Sequence, residues 1–429
     1  MRSIIIGLSS LIGSSFFVQF SNAAITTMVA ITVAESGGTQ SDVAIIASAF
    51  SVGFIAGCFL FPPQIARIGL IRGYVAAAAI MTIAIVSLEM LDGIAAWVLL
   101  RFTMGASFAA VMAISDAWIN DKAPGDQRGK IIAIYSTILG LASIASQLLF
   151  FGFDATDDSF VLIFAISMNL AVVLVALGTS RPPDLSQKSS SYFKPPTFVS
   201  TPATVGAFVA GFSTTSLVSI MPFYLTDHGV EENLVAGSIA ALYLGRLTCQ
   251  WPIGLFSDRL DRRIILTILS ATVVLVSSMA LILGEGEGQV MAGQKGFVLQ
   301  ATAYLFCFIL GGTLWPMYSV ASALAFDRAD GRPMIDISTT LLVVNSLGAI
   351  AGPVAIMMMT SLAGDYALHI SISVVCAATV IVCLLGIRVK VAAESPTPVV
   401  APMSENSVGM ARAVAELVEE ETLDDETTR

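Results

Sequence analysis

Two arginines lie within long apolar stretches of this chain, where a charged side chain is costly. Arg246 lies near the middle of one stretch, and Arg101 lies toward one end of another. A charge at the centre of a membrane costs at least about 2.5–3.5 kcal/mol, so Arg246 needs a physical reason to be there. A guanidinium can bind a carboxylate, sulfonate or phosphate through two parallel hydrogen bonds, and Gln250 follows one helical turn later. These residues predict an anion-binding site.

Each of these side chains also has a structural explanation. Arg246 could form a buried ion pair, although no acid is expected at its depth. Arg101 could hold its helix against a neighbour through hydrogen bonds, which explains its position at least as well as substrate contact does. Further residues could add hydrogen bonds or an aromatic wall to the site, with packing between helices as the alternative for each: Gln19, Asn22, Trp315, Tyr318 and Asn345.

The sequence has no pattern typical of catalysis, metal binding or a cofactor. The five cysteines all lie in apolar stretches without metal-ligand spacing. No glycine-rich nucleotide-binding loop is visible, which argues against direct coupling to ATP hydrolysis. No basic patch indicates nucleic acid, and no carboxylate falls at mid-membrane depth to carry a coupling proton. We therefore expect neither an enzyme nor a cofactor, and uniport, exchange and coupling to a proton or another ion all stay open.

The surrounding composition is that of a membrane protein. Of the 429 residues, 56% are hydrophobic and 12% are charged, and the mean hydropathy is +0.84. Soluble domains carry about 25% charged residues. A helix needs roughly 20 apolar residues to span a bilayer. Twelve segments qualify: 3–33, 42–66, 70–89, 94–118, 128–152, 159–179, 201–226, 234–256, 263–283, 297–325, 334–361 and 366–388.

The basic residues predict the orientation of these spans. Of the 21 Lys and Arg residues, two lie within spans and only Lys295 lies in one set of connecting segments, so the other 18 fall in the alternate set. This alternation places both termini in the cytoplasm and predicts a multi-pass protein of the bacterial inner membrane. Ile4–Phe20 could instead be a cleaved signal sequence, but the apolar run continues to Ala34, which favours an uncleaved first helix.

A polar linker divides the spans into two groups of six. We expect an N-terminal six-helix bundle at 1–179, a Pro- and Ser-rich cytoplasmic linker at 180–200, a C-terminal six-helix bundle at 201–390 and an acidic cytoplasmic tail at 391–429. Two equal helical halves are typical of transporters whose binding site lies at mid-membrane depth between the repeats.

Two motifs resemble those of the major facilitator superfamily. Residues Gly254–Arg263 (GLFSDRLDRR) resemble its cytoplasmic loop signature, and Arg101–Gly105 (RFTMG) resembles its Arg-x-x-x-Gly element. The resemblance covers about residues 1–390. It implies an all-α membrane protein with 12 transmembrane helices in two pseudo-symmetric six-helix bundles.

The resemblance also implies a cytoplasmic gate. We expect Asp258 to end a helix beside a tight turn, with Gly254 close by for that turn. The basic residues of the loop could meet Asp116 or Asp121 and latch the cytoplasmic side: Arg259, Arg262 and Arg263. The alternative is that these cations only fix the topology.

The chain departs from the family pattern in two places. Ala66 stands where the first half should carry the acid of the loop signature. The fifth span lacks the Gly-Pro element of drug/proton antiporters, while Gly348–Pro353 in the eleventh span reads as close helix packing and a kink. A drug-type antiporter is therefore less favoured.

Together these features predict a secondary active or facilitative transporter of a small organic solute, anionic or zwitterionic, that works by alternating access as a monomer. Its expected partners are the solute, the lipid bilayer and, where transport is coupled, a proton or other ion, but no nucleic acid. Two alternatives stay open: a transporter-derived sensor or assembly protein without flux, and a drug or lipid exporter.

Overall fold

Long α-helices account for nearly all of the structure. The computed structural model describes residues 2–122, 128–155, 158–178, 200–282, 297–328 and 334–388. Within these ranges the helices are α1 (Arg2–Glu35), α2 (Gln40–Ile68), α3 (Leu70–Met90), α4 (Ile94–Lys122), α5 (Arg128–Gln147), α6 (Asp158–Gly178), α7 (Thr201–Asp227), α8 (Glu232–Ser257), α9 (Arg262–Ile282), α10 (Phe297–Asp327), α11 (Met334–Ala363) and α12 (Ala367–Arg388). Short 3₁₀ turns at Leu148–Phe151 and Gly364–Tyr366 follow α5 and precede α12.

The helices confirm the all-α membrane fold. Each of the twelve helices matches a predicted span to within a few residues, and the 3₁₀ turn after α5 completes the fifth. Length and apolarity identify ten candidate membrane spans in the described residues, the last of which, Ile337–Gly386, covers both α11 and α12. Helix α8 is the one described helix outside these spans, because Arg246, Thr248 and Gln250 make it more polar.

Local sequence explains how several helices begin. At α2, Asp42 and Thr39 form a capping box: the Thr39 side chain accepts a hydrogen bond from the Asp42 backbone N–H, and the Asp42 carboxylate accepts one from the Thr39 N–H at 2.8 Å. Helix α7 starts after Ser200 with Pro202 in its first turn, where a missing N–H leaves no hydrogen bond unmade.

The same helix pairs pack in both halves of the chain. Helix α2 packs against α4 as α8 packs against α10, and α3 packs against α6 as α9 packs against α12. The halves meet where α1 contacts α7, where α2 contacts α11 and where α5 contacts α8. The proposed bundle boundaries stay predictions. The linker at 180–199 and the tail from residue 389 lie outside the described residues.

Glycines allow three of these helix pairs to approach closely. A Cβ atom added at any of six positions would lie 2.0 Å from a carbonyl oxygen of the facing helix: Gly53, Gly105, Gly211, Gly245, Gly311 and Gly348. Small residues at such crossings are typical of helices packed in membranes. The close packing predicted for Gly348 in α11 is thus confirmed. The α2–α4 and α8–α10 crossings also carry the two membrane-embedded arginines.

Candidate functional site: a cavity between the two halves

A cavity of about 200 Å³ lies between the halves, lined by side chains of α1, α2, α4, α7, α8, α10 and α11. Six of the eight residues predicted to contact substrate line it: Gln19, Asn22, Arg101, Arg246, Trp315 and Asn345. Gln250 and Tyr318 are not among the lining residues; Gln250 is half-buried further along α8, and Tyr318 is buried among apolar side chains. The structure therefore brings most of the candidate residues to one place, while their role in binding stays a prediction.

Arg246 reaches the cavity from the second half. Its guanidinium carbon lies 5.6 Å from the centre of the Trp315 ring, within the range of a cation–π contact. Trp315 in turn packs against Tyr243, with ring centres 5.7 Å apart. Among the described residues no acid pairs with Arg246. The structural ion pair considered as an alternative is thus not found in the described part of the chain, and an aromatic wall holds this cation instead.

Arg101 reaches the cavity from the first half and is only 2% exposed. Its guanidinium carbon lies 4.6 Å above the Phe50 ring of α2, and its Nη2 donates to Thr26 Oγ1 of α1 at 3.2 Å. Its Nε and Nη1 are buried without a hydrogen-bond partner in the described structure. Arg101 thus connects α4 to α1 and α2, as its structural explanation requires, and retains two unused donors.

The amide side chains also connect helices. Gln19 Nε2 donates to Ser143 Oγ of α5 at 2.9 Å, and Asn345 Nδ2 donates to the Ala207 carbonyl of α7 at 3.1 Å. Asn22 differs, because its Oδ1 is buried without a partner in the described structure. Packing between helices therefore accounts for one hydrogen bond of Gln19 and one of Asn345, although both still line the cavity.

The electrostatic character of the cavity is positive. Arg101 and Arg246 are both lining residues, and no Asp or Glu is among the described residues that line it. This agrees with the sequence analysis, in which no carboxylate is predicted at mid-membrane depth. Sequence reasoning missed Phe50, the ring that holds Arg101. The signal that could have found it is the pair Gly53 and Gly57, whose four-residue spacing in α2 marks a close helix crossing.

The loop between α8 and α9 is held by ion pairs. Arg262 Nε contacts Asp327 Oδ2 at 2.5 Å, and its Nη1 contacts Asp258 Oδ1 at 3.5 Å. Arg263 binds Asp261 through Nη2 and Oδ2 at 2.6 Å, and this hydrogen bond holds the pKa of Asp261 below its usual value. These pairs join the loop to α9 and join the start of α9 to α10, all within the second half.

The gate residues are only partly where they were expected. Asp258 caps the end of α8, as predicted, but Gly254 lies inside that helix with no atom near the position of a Cβ, so the turn does not require glycine there. Arg259 is exposed, and Asp116 is buried on α4. The side chain of Asp121 lies outside the described residues. A latch between the loop and α4 stays a prediction.

Within the described residues, hydrogen bonds join the halves beside the cavity, at Ser48, and at the opposite end of the helices, here called the Glu35 end because α1 finishes there. Thr360 Oγ1 donates to Gln40 Oε1 at 2.7 Å, Ser48 Oγ donates to the Ile350 carbonyl at 3.3 Å, and the Ala155 N–H donates to Glu232 Oε2 at 2.9 Å. In each bond one partner belongs to the first half and the other to the second.

A cluster of carboxylates accompanies these bonds. The carboxylate oxygens of Glu35, Asp154 and Glu232 lie within 4.8 Å of one another. Glu232 is the first residue of α8, ahead of the predicted span. The pKa of Glu232 is raised to about 7, mainly by burial and also by the charges of Asp154 and Glu35, while the hydrogen bond from the Ala155 N–H lowers it. The repulsion between these carboxylates at the closed Glu35 end is therefore smallest when Glu232 is protonated.

Comparison with known proteins identifies the family. The chain matches the family model described as the Major Facilitator Superfamily over residues 11–353, which is most of its length. The chain therefore belongs to the Major Facilitator Superfamily and is a multi-pass membrane transporter, whose substrate this match does not specify.

Curated relatives give the same class. The chain is 26% identical over 380 residues to an uncharacterized MFS-type transporter of Enterobacter sp. (strain 638), covering 88% of this chain and 94% of the relative. It is 24% identical over 363 residues to the uncharacterized MFS-type transporter YcaD of Escherichia coli O139:H28 (strain E24377A / ETEC), covering 82% and 88% of the two chains.

Solved structures share the fold. A bacterial homologue of the human lysosomal transporter Spinster, in an inward-facing and unoccupied conformation, aligns with a TM-score of 0.62 at 16% identity, over 99% of this chain and 98% of that one. A mutant of the nucleoside transporter NupG aligns with a TM-score of 0.68 at 10% identity, over 89% and 99%. At these identities the likeness concerns the fold alone.

Proposed function

We propose that this transporter carries a small organic anion through the central cavity by alternating access. One observation carries the substrate class: two guanidinium groups line a cavity that has no carboxylate among its described lining residues. Such a site attracts an anion, whereas the ammonium group of a zwitterion would meet two cations and no acid. A bound anion also offsets the cost of keeping Arg101 and Arg246 unpaired at membrane depth.

The contacts between the halves support alternating access. A carrier that rocks two bundles about a central site must make contacts at one end while breaking those at the other. The hydrogen bonds of Gln40 and Glu232 at the Glu35 end, and that of Ser48 beside the cavity, are the contacts that such a movement would break. The ion pairs of the α8–α9 loop lie within one half and would move with it as a rigid unit.

The orientation follows from the basic residues. The α8–α9 loop and the other segments that carry the 18 alternating basic residues face the cytoplasm, together with both termini, and the Glu35 end faces outward, because short basic loops stay on the cytoplasmic side of the bacterial inner membrane. One chain supplies both walls of the cavity, so the transport unit is a monomer.

The membrane potential biases an uncoupled anion carrier toward export. Moving one negative charge inward against a potential of 100 mV, negative inside, costs about 2.3 kcal/mol, and outward movement gains the same amount. Uptake of the anion would therefore need an inward concentration gradient large enough to offset this cost, or a coupled proton or other cation.

The test is transport by purified protein in lipid vesicles across a panel of organic anions, cations and neutral solutes. Arg246→Ala should abolish anion flux with normal membrane insertion, because it removes the cation from the second half of the cavity. Arg246→Lys should rescue only in part, since an ammonium keeps the charge but loses the planar fork. Arg72→Ala is the matched control, because Arg72 is exposed on α3 and away from the cavity.

Each alternative function gives a different result. Undiminished anion flux by Arg246→Ala would remove the anion hypothesis and favour a lipid or drug exporter. Binding of an anion without flux, in vesicles where the protein is correctly inserted, would favour a sensor.

A further inference from the structure

Arg101 has more hydrogen-bond donors than its contacts with the neighbouring helices use. Its contacts with Thr26 and Phe50 employ Nη2 and the face of the guanidinium. Nε and Nη1 are buried without a partner in the described structure, although the side chain lines the cavity. A buried charged donor left unsatisfied carries a large desolvation penalty. The fork formed by Nε and one terminal nitrogen is the geometry that binds a carboxylate through two hydrogen bonds.

The two cavity arginines belong to different halves of the protein. Arg101 on α4 is fixed by Phe50 on α2 and Thr26 on α1, all in the first half. Arg246 on α8 faces Trp315 on α10, both in the second half. Each arginine is therefore held by residues of its own half and moves with that half. A ligand with one anionic group can satisfy one arginine, whereas a ligand with two can satisfy both and draw the halves together.

Resting on the proposed function, we propose that the substrate is a small organic dianion with two separate anionic groups, one bound by Arg101 and the other by Arg246. A short-chain dicarboxylate has this chemistry. The cavity of about 200 Å³ suits a short spacer, and Thr214 and Thr215 of α7 are among the residues that line it. Arg101 is then a specificity-determining residue that distinguishes dianions from monoanions, as well as a residue that connects helices.

The experiment compares matched anions that differ by one charged group. Binding to the purified protein is measured for dicarboxylates of increasing chain length, beginning with succinate, and for the monocarboxylate of each length, beginning with butyrate; inorganic phosphate tests whether one doubly charged group suffices. The wild type should bind its best dicarboxylate at least about tenfold more tightly than the matched monocarboxylate, because the monoanion leaves one buried guanidinium unpaired.

Two substitutions then test each end of the ligand. Arg101→Gln and Arg246→Gln should each reduce the ratio of dicarboxylate to monocarboxylate affinity to near one, while Arg72→Gln, a matched loss of one exposed arginine, should leave it unchanged. Where Arg101→Gln does not fold, Arg101→Lys keeps the charge and should retain a reduced preference for the dianion. A purely structural Arg101 would instead give a less stable protein with an unchanged ratio.

The possible outcomes separate this proposal from the one on which it rests. Equal affinity of the wild type for matched mono- and dicarboxylates, or a ratio that Arg101→Gln does not change, overturns the dianion proposal and leaves anion transport standing. Tighter binding of phosphate than of every dicarboxylate also overturns it. No binding of any anion, with binding of a cation or neutral solute, overturns both.

Discussion

The crossing of α8 and α10 beside the cavity is expected to be highly sensitive to one added methyl group. In Gly245→Ala the new Cβ would lie 2.0 Å from the Phe308 carbonyl oxygen, whereas ordinary contacts begin at 3.4 Å. The helices must therefore separate by about 1.4 Å at this point. Trp315 lies two turns from Phe308 on the same face of α10. The movement would carry it away from Arg246, the neighbour of Gly245.

The size of the helix separation determines whether the cation–π contact is kept. The present distance from the Arg246 guanidinium to the Trp315 ring centre is 5.6 Å, and such contacts lose their value beyond about 6 Å. A separation of more than 1 Å therefore removes the contact. Overpacking of this kind costs about 1–3 kcal/mol of stability, against which alanine recovers about 1 kcal/mol through its helix propensity. We expect a net loss of up to about 2 kcal/mol together with weaker anion binding.

A second glycine on a membrane helix provides the control. In Gly13→Ala, on α1, the nearest atom to the new Cβ would be Leu174 Cδ1 at 3.5 Å, an ordinary contact. This variant should keep or slightly raise stability. Both proteins are compared by thermal unfolding in detergent and by anion flux in vesicles. If Gly245→Ala unfolds and transports as Gly13→Ala does, the close crossing of α8 and α10 does not position Arg246.

Three further predictions concern charges outside the cavity. The pKa of Glu232 is raised to about 7 from 4.5. Protonation of Glu232 should therefore stabilise the closed Glu35 end in full below pH 4.5, and this stabilisation should be lost as the pH rises through 7. In a cysteine-free background, a cysteine is placed at Ser48, which is buried where the halves meet. Its rate of alkylation, divided by the rate in Glu232→Gln at the same pH so that ionisation of the thiol cancels, should then increase with pH. In a double-mutant cycle of Arg262→Gln and Asp327→Asn, the coupling energy should be about 1–3 kcal/mol, measured by unfolding, because a partly buried charged hydrogen bond is lost; a value near zero would show that the pair does not hold the loop. Asp261 has a lowered pKa, so its contribution to stability is present above its ordinary pKa of 3.8 and lost as the pH falls further; Asp261→Asn should lack that acid-dependent loss in thermal unfolding.

Much of this architecture could be predicted because the bilayer imposes a length on each helix. The apolar runs determined the helix bounds, and the charged or polar residues within them indicated the depth of the site. Depth alone does not say which face of a helix turns toward the cavity. That is why Gln250, one turn from Arg246, and Tyr318, one turn from Trp315, were predicted as lining residues although neither lines the cavity.

The partners of the two arginines needed three-dimensional information. Phe50 and Arg101 come from different helices, and Gly53 and Gly105 allow those helices to meet. The role of Gly254 was wrong because the family motif gives residue types without helix ends, and α8 continues past this glycine to Ser257. The carboxylate cluster at the Glu35 end was not foreseen, because its three members lie in separate connecting regions of the sequence.

The carboxylate cluster at the Glu35 end bears on the rate of transport and not on its direction. Three carboxylates lie within 4.8 Å of one another there, and they repel a nearby anion over roughly the 8–10 Å of a Debye length. A fixed charge cannot change the ratio of the fluxes of a passive carrier in its two directions at equal concentrations, because the same barrier is crossed on entry and on exit. The direction is set by the anion gradient and by the membrane potential, which contributes about 2.3 kcal/mol per charge for each 100 mV. Neutralising Glu232 should therefore raise anion flux in vesicles by the same factor in both directions. A change in only one direction at equal concentrations and without a potential would show that transport is coupled to a second gradient.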